Sequence, residues 1–174
     1  MTQSFIERAE KVIMPTYSRY PIAFESGNGT YLKDINGKEY LDFVAGIAVD
    51  CLGHNNPGLN AAIQEQCGKI MHVSNLYWTE PQVETAELLV AASGLDKVFF
   101  CNSGAEANEA ALKMARIYAK QFKSPEAVEI IAMEHSFHGR TYGAISATGQ
   151  PKYQKNLEPL LPGILHVPFN DLEA

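Results

Sequence analysis

Val98-Phe99-Phe100-Cys101-Asn102-Ser103-Gly104-Ala105-Glu106 is the stretch on which the fold turns. An apolar, strand-like run over Lys97–Cys101 passes through a tight turn of small residues into a long helical pattern over Ala105–Phe122. In that pattern Ala107, Ala111, Met114, Ala115, Tyr118 and Phe122 trace the stripe expected to face a core. A helix N-terminus presents unpaired N–H groups and the positive end of the helix dipole, so it favours a phosphate. Gly104 and Ala105 leave room for such a group to approach the backbone. Ser103 and Glu106 also match the S-x-x-E capping box, and on that reading the turn only starts a helix. The spacing is neither that of a P-loop nor G-x-G-x-x-G, so both readings stand.

Outward from this turn the chain alternates. Pro57–Met71 and Pro81–Ala92 read as helices before it. Val128–Met133 and Ile164–Val167 read as strands after it, with a short helix over Thr141–Ala147 between them. Alternating strands and helices imply a parallel sheet with helices on its faces. Three strands make a thin sheet, and Asn170-Asp171 resembles the N-cap of a further helix, so an incomplete α/β domain is expected. The N-terminal part differs. Residues 2–14 carry an amphipathic helical pattern stopped by Pro15. Ile22–Glu25, Thr30–Asp34 and Glu39–Phe43 are short β-type runs punctuated by Gly27-Asn28-Gly29 and Asn36-Gly37, which predicts a small antiparallel meander.

Composition narrows the function. The 174 residues are 46% hydrophobic and 20% charged, which is the make-up of a folded chain. Fourteen Lys and Arg stand against 20 Asp and Glu, for a net charge of −6, which argues against a nucleic-acid partner. The longest apolar run, Phe43–Val49, falls far short of the roughly 20 residues of a membrane helix. The charged N-terminal stretch does not read as a signal peptide. Cys51, Cys67 and Cys101 are odd in number and widely spaced, so they are expected to be buried, reduced thiols of a cytoplasmic protein.

A second candidate stretch, Glu134-His135-Ser136-Phe137-His138-Gly139-Arg140-Thr141, follows the second predicted strand. Ligands of parallel α/β sheets sit outside the carboxyl ends of the strands, where both stretches lie. Phe137 can offer an aromatic face to a flat ring. Arg140, one of four arginines, can hold a carboxylate with two parallel hydrogen bonds. A core phenylalanine and a surface arginine are the plainer alternatives. His135 and His138 have no carboxylate or cysteine pattern beside them, and no metal site is expected.

The chain resembles the class III pyridoxal-phosphate-dependent aminotransferases over nearly its whole length. The resemblance rests on Gly37-Lys38-Glu39-Tyr40-Leu41-Asp42-Phe43, Gly46-Ile47-Ala48-Val49 and His72-Val73-Ser74-Asn75-Leu76-Tyr77. It rests above all on Asn102-Ser103-Gly104-Ala105-Glu106-Ala107-Asn108-Glu109-Ala110, with Phe137–Thr141, Gly149–Tyr153 and His166–Asp171. It implies fold type I, with residues 1–55 an N-terminal segment of the small domain and 56–174 the first part of the large cofactor-binding domain. Ser103, Gly104 and Ala105 would then hold the phosphate of pyridoxal 5'-phosphate, Phe137 would stack on its ring, and Arg140 would bind a substrate carboxylate. The Gly46–Val49 and Ser74–Tyr77 stretches lean towards the branch that moves the terminal amino group of N-acetylornithine to 2-oxoglutarate in arginine biosynthesis. Ornithine, succinylornithine and 4-aminobutyrate are the alternative donors, and a non-catalytic interaction module is the alternative from another class. The resemblance further implies a homodimer with the active site at the subunit interface, near His72–Tyr77. The chemistry requires a Schiff-base lysine and a carboxylate opposite the pyridine nitrogen. Neither is expected among these residues, so no catalytic residue is assigned and the chain alone is expected to be inactive.

Overall fold

The computed structural model describes residues 2–174. The chain forms two compact units that divide between Trp78 and Thr79.

The first unit starts with helix α1 (Thr2–Val12), followed by strands β1 (Phe24–Asn28), β2 (Tyr31–Asp34) and β3 (Glu39–Leu41). The strands form the antiparallel meander expected from the glycine punctuation, in the order β1-β2-β3. Asp34 closes the β2–β3 turn: its carboxylate accepts the Asn36 and Lys38 N–H groups at 2.9 Å each. Gly37 occupies the left-handed conformation there, at φ 86°. Next comes a single turn, α2 (Ala45–Ala48), whose four residues all have positive φ. Three of them are not glycine, and such a backbone costs about 1–2 kcal/mol per residue unless its surroundings hold it. Asp42 supplies that hold by accepting the Val44 and Ala45 N–H groups. His54 lies between two carboxylates, 2.8 Å from Asp42 and 2.9 Å from Asp50. Helix α3 (Pro57–Lys69) starts at Asn56, whose side chain accepts the Leu59 N–H, with Pro57 at the first helical position.

The second unit contains helices α4 (Glu80–Ser93) and α5 (Gly104–Phe122), strand β4 (Ile130–Met133), helix α6 (Tyr142–Ala147), the single turn α7 (Pro151–Gln154) and strand β5 (Ile164–Val167). β4 and β5 pair in parallel, with Ile130 opposite Ile164 and Met133 opposite Val167. The core of this unit is α6. Gly143, Ala144, Ile145, Ser146 and Ala147 are all buried, and these mostly small side chains let α6 lie close to α5 and β5. Gln154 of α7 closes the far end of α6 by donating to the carbonyls of Ile145, Ser146 and Thr148.

The structure corrects several expectations. Lys97–Cys101 is not a strand, because no partner ladder exists for it among the described residues. The expected apolar stripe of α5 is not its packed face: Met114, Tyr118 and Phe122 are exposed. The half-covered residues include Ala105, Asn108, Glu109, Leu112 and Arg116, which also recur at helical spacing. All three cysteines are free but exposed rather than buried, because no described element covers their faces. Asp171 makes the capping contacts expected of it, accepting the Glu173 and Ala174 N–H groups, though no helix is formed over these residues. Among the described residues no helix is long and apolar enough to cross a membrane.

Candidate functional site

Ser103 is the N-cap of α5, with extended backbone and its Oγ accepting the Glu106 N–H at 3.2 Å. Glu106 reaches back one residue further than in the usual capping box and accepts the Asn102 N–H at 2.5 Å. The ladder of the helix begins where the Ala107 N–H meets the Ser103 carbonyl at 3.0 Å. The Gly104 and Ala105 N–H groups precede that ladder and project from the helix end. A Cβ placed on Gly104 would meet nothing within 4 Å, so the packing does not demand glycine here and the space beside the two N–H groups is open. This donor set fits a phosphate: two aligned N–H groups, the helix dipole and the Ser103 hydroxyl. The capping reading and the anion reading are therefore compatible, because capping uses Glu106 N–H and leaves the first two donors available.

The loop between β4 and α6 comes directly against this helix end. Gly139 has φ 125° and is buried; a Cβ on it would lie 2.6 Å from the Ala105 Cβ and 2.9 Å from the Ala105 Cα. Only glycine permits this approach. The loop is bonded along its length. The His135 N–H donates to the Gly149 carbonyl at 2.7 Å, and the His138 N–H to Thr148 Oγ1 at 2.9 Å. Gln150 Nε2 donates to the carbonyls of His135 and Ser136. Thr148 itself is fully buried.

Within this frame Phe137 is 55% exposed, so it is not the core residue of the plainer alternative. Its ring forms a T-shaped pair with that of Tyr153, with centroids 5.7 Å apart. The Arg140 guanidinium lies 4.7 Å over the ring of the same Tyr153. Tyr153, to which the sequence reading gave no role, thus touches both candidate ligand-binding side chains. Asn108 and Glu109 were missed in the same way. Asn108 Nδ2 donates to the His138 carbonyl at 2.7 Å. Glu109 Oε1 accepts from Thr141 Oγ1 at 2.6 Å and from the Gly143 and Ala144 N–H groups at 2.8 and 3.1 Å. The Thr141 hydroxyl, with the Ala144 and Gly143 N–H groups and nearby Lys113, holds the Glu109 carboxyl below the usual range against the opposing effect of burial. Because the folded group titrates lower than the unfolded one, the contact persists above the usual carboxylate range and is lost only as pH falls through the depressed pKa. The spacing 105, 108, 109 was the available signal for this face. No cluster of metal-ligating side chains exists among the described residues, His135 and His138 included.

The aminotransferase class-III family matches residues 12–174. The acetylornithine aminotransferase of Gloeobacter violaceus is 54% identical over 165 residues, 95% of this chain and 41% of that protein. That of Methanocaldococcus jannaschii is 48% identical over 172 residues, 99% of this chain and 43% of that protein. The chain therefore spans about two fifths of the length of these curated relatives. Among solved structures, the ornithine aminotransferase of Toxoplasma gondii superposes on 100% of this chain and 42% of its own, at TM-score 0.94 and 28% identity. A Bacillus anthracis aminotransferase superposes on 96% of this chain and 38% of its own, at TM-score 0.88 and 30% identity. The helix-end turn, the loop beside it and these likenesses agree, and the chain belongs to the class III aminotransferases, with the fold of type I pyridoxal-phosphate enzymes.

Proposed function

We propose that these residues are part of an acetylornithine aminotransferase, which moves the terminal amino group of N-acetylornithine to 2-oxoglutarate. The product amino acid is glutamate, and the reaction is a step of arginine biosynthesis. The carrying observation is the contact between the N-terminus of α5 and the Phe137–Arg140 loop at Ala105 and Gly139. It brings an anion-binding helix end, an exposed aromatic ring and a guanidinium into one neighbourhood, which suits pyridoxal phosphate, the cofactor of the family. The donor is favoured by the acetylornithine aminotransferases among the relatives, which are 45–54% identical to the chain.

When bound, pyridoxal phosphate supplies an electron sink at the amino-bearing carbon. The chain's own residues bind and orient. Gly104 and Ala105 N–H groups, with the Ser103 hydroxyl, hold the phosphate. Phe137 covers one face of the ring and shields it from water. Arg140 orients the substrate through its carboxylate, and Tyr153 supports both side chains. In this reading residues 1–55 belong to the small domain and 56–174 to the large one, and the enzyme is a cytoplasmic homodimer with the site at the subunit interface. The ten lysines include none assigned to covalent attachment of the cofactor, so the 174-residue segment by itself is inactive.

One assay series tests this. The full-length enzyme is expected to prefer N-acetylornithine over ornithine, succinylornithine and 4-aminobutyrate in kcat/KM with 2-oxoglutarate as acceptor. The isolated segment should show no turnover. Ornithine as the preferred donor would move the assignment to the activity named for the Toxoplasma gondii neighbour. Turnover by the segment, with cofactor attached to one of its lysines in a peptide map, would overturn the claim of inactivity.

A further inference from the structure

Three successive points on one face of α5 grip the loop that carries Arg140. Ala105 touches Gly139, Asn108 Nδ2 binds the His138 carbonyl at 2.7 Å, and Glu109 takes the Thr141 hydroxyl at 2.6 Å. These contacts flank Arg140 on both sides. Glu109 continues into α6, accepting the Gly143 and Ala144 N–H groups. Thr141 is the N-cap of α6 but makes no side-chain cap bond to that helix. The capping function has passed to a carboxylate on a different helix, and the Thr141 hydroxyl is turned to the same oxygen. Gly143 is suited to this arrangement, since a Cβ there would lie 2.5 Å from Glu109 Oε2 and 2.8 Å from Oε1. The three residues, Ala105, Asn108 and Glu109, lie along one helical stripe, and the two polar ones both hydrogen-bond this loop.

We propose that Glu109, with Asn108 beside it, is a positioning residue that sets the distance between the phosphate-binding end of α5 and the carboxylate-binding Arg140. The proposal rests on the roles assigned above to Gly104, Ala105 and Arg140. The phosphate donors and the two gripping side chains belong to the first two turns of one helix, a rigid spacer of about 1.5 Å per residue. Cofactor and substrate carboxylate are thereby referred to the same ruler. Releasing Glu109 leaves the helix end and its N–H donors intact while the loop after His138 is free to shift. A displacement of about 1 Å at such a site costs up to roughly a hundredfold in rate. The effect should therefore fall on recognition of the carboxylate and spare the phosphate.

The test uses the full-length enzyme loaded with cofactor, with glutarate as an unreactive dicarboxylate probe and calorimetry as the readout. Arg140→Ala fixes the size of the effect of losing the carboxylate site. Glu109→Ala is expected to weaken glutarate about tenfold and to raise KM for 2-oxoglutarate similarly. Pyridoxal-phosphate affinity of the apoenzyme, followed by fluorescence, should stay within about threefold. Glu109→Gln keeps an oxygen acceptor and should recover most of the glutarate affinity. Thr141→Val removes the shortest contact without changing shape, so the proposal remains open to test even where Glu109→Ala does not fold; about a threefold weakening is expected. Glutarate binding unchanged in Glu109→Ala and Thr141→Val, with Arg140→Ala weakened, overturns the positioning role and leaves the functional reading standing. Equal losses of glutarate and cofactor affinity also overturn it, because Glu109 would then only support the fold. If Arg140→Ala itself leaves glutarate binding intact, the assignment of Arg140 fails and the positioning role fails with it.

Discussion

Arg140→Ala in the full-length enzyme is expected to lower kcat/KM for carboxylate-bearing substrates by roughly ten- to a hundredfold. A charge-assisted hydrogen bond contributes about 1.5–3 kcal/mol, and a guanidinium can make two to one carboxylate. The position suits the role. Gly139 fixes the backbone one residue before it and Thr141 one residue after it, so only the side chain is left to adjust. Tyr153 lies under the guanidinium and restricts that adjustment at little cost in hydration. Lysine keeps the charge but not the planar fork, so Arg140→Lys should recover only part of the loss. The absorbance of bound cofactor should be unchanged in both variants. The informative control is an amine donor without a carboxylate. An equal loss with that donor would count against the assigned role, and a kcat/KM within a factor of two of the parent would make Arg140 a surface residue.

The other large effect is expected at Gly139. Its φ of 125° is a conformation that side-chain-bearing residues rarely adopt, which costs about 1–3 kcal/mol on substitution. The new Cβ would also fall 2.6 Å from the Ala105 Cβ and 3.1 Å from the Ala144 Cβ. Overpacking of this kind typically adds about 1–3 kcal/mol. Neither neighbour is a flexible side chain that can swing aside. Gly139→Ala should therefore push the loop off the end of α5, lowering the unfolding temperature and weakening pyridoxal phosphate by more than about tenfold. Gly104→Ala is the matched control, because a Cβ there meets nothing within 4 Å. Its unfolding temperature should remain near that of the parent. Similar unfolding temperatures and cofactor affinities for the two alanine variants would show that the close approach at Gly139 does not hold the site together.

Sequence alone determined the elements whose signals are local. The Asn36-Gly37 turn, the Asn56-Pro57 start of α3 and the Ser103–Glu106 cap each depend on residues within a few positions of one another. The proposed helix-end phosphate site was legible for the same reason, since its donors are the backbone of the turn itself. What the sequence misread required a partner. Lys97–Cys101 has the composition of a strand, but a strand exists only where another ladder accepts its hydrogen bonds. Hydropathy traces the apolar stripe of α5 through Ala107, Ala111, Met114, Ala115, Tyr118 and Phe122. Tertiary packing instead chose the face with Asn108, Glu109 and Arg116, whose side chains bond backbone carbonyls and N–H groups of the segments packed against it. Glu109 lies in the run that carries the family resemblance, yet its role is not legible there, because its partners lie 32 to 35 residues further along the chain. Local chemistry could name a phosphate turn, an aromatic ring and an arginine. Only the long-range hydrogen bonds, with the missing Cβ of Gly139, decided that the turn and the loop share one neighbourhood.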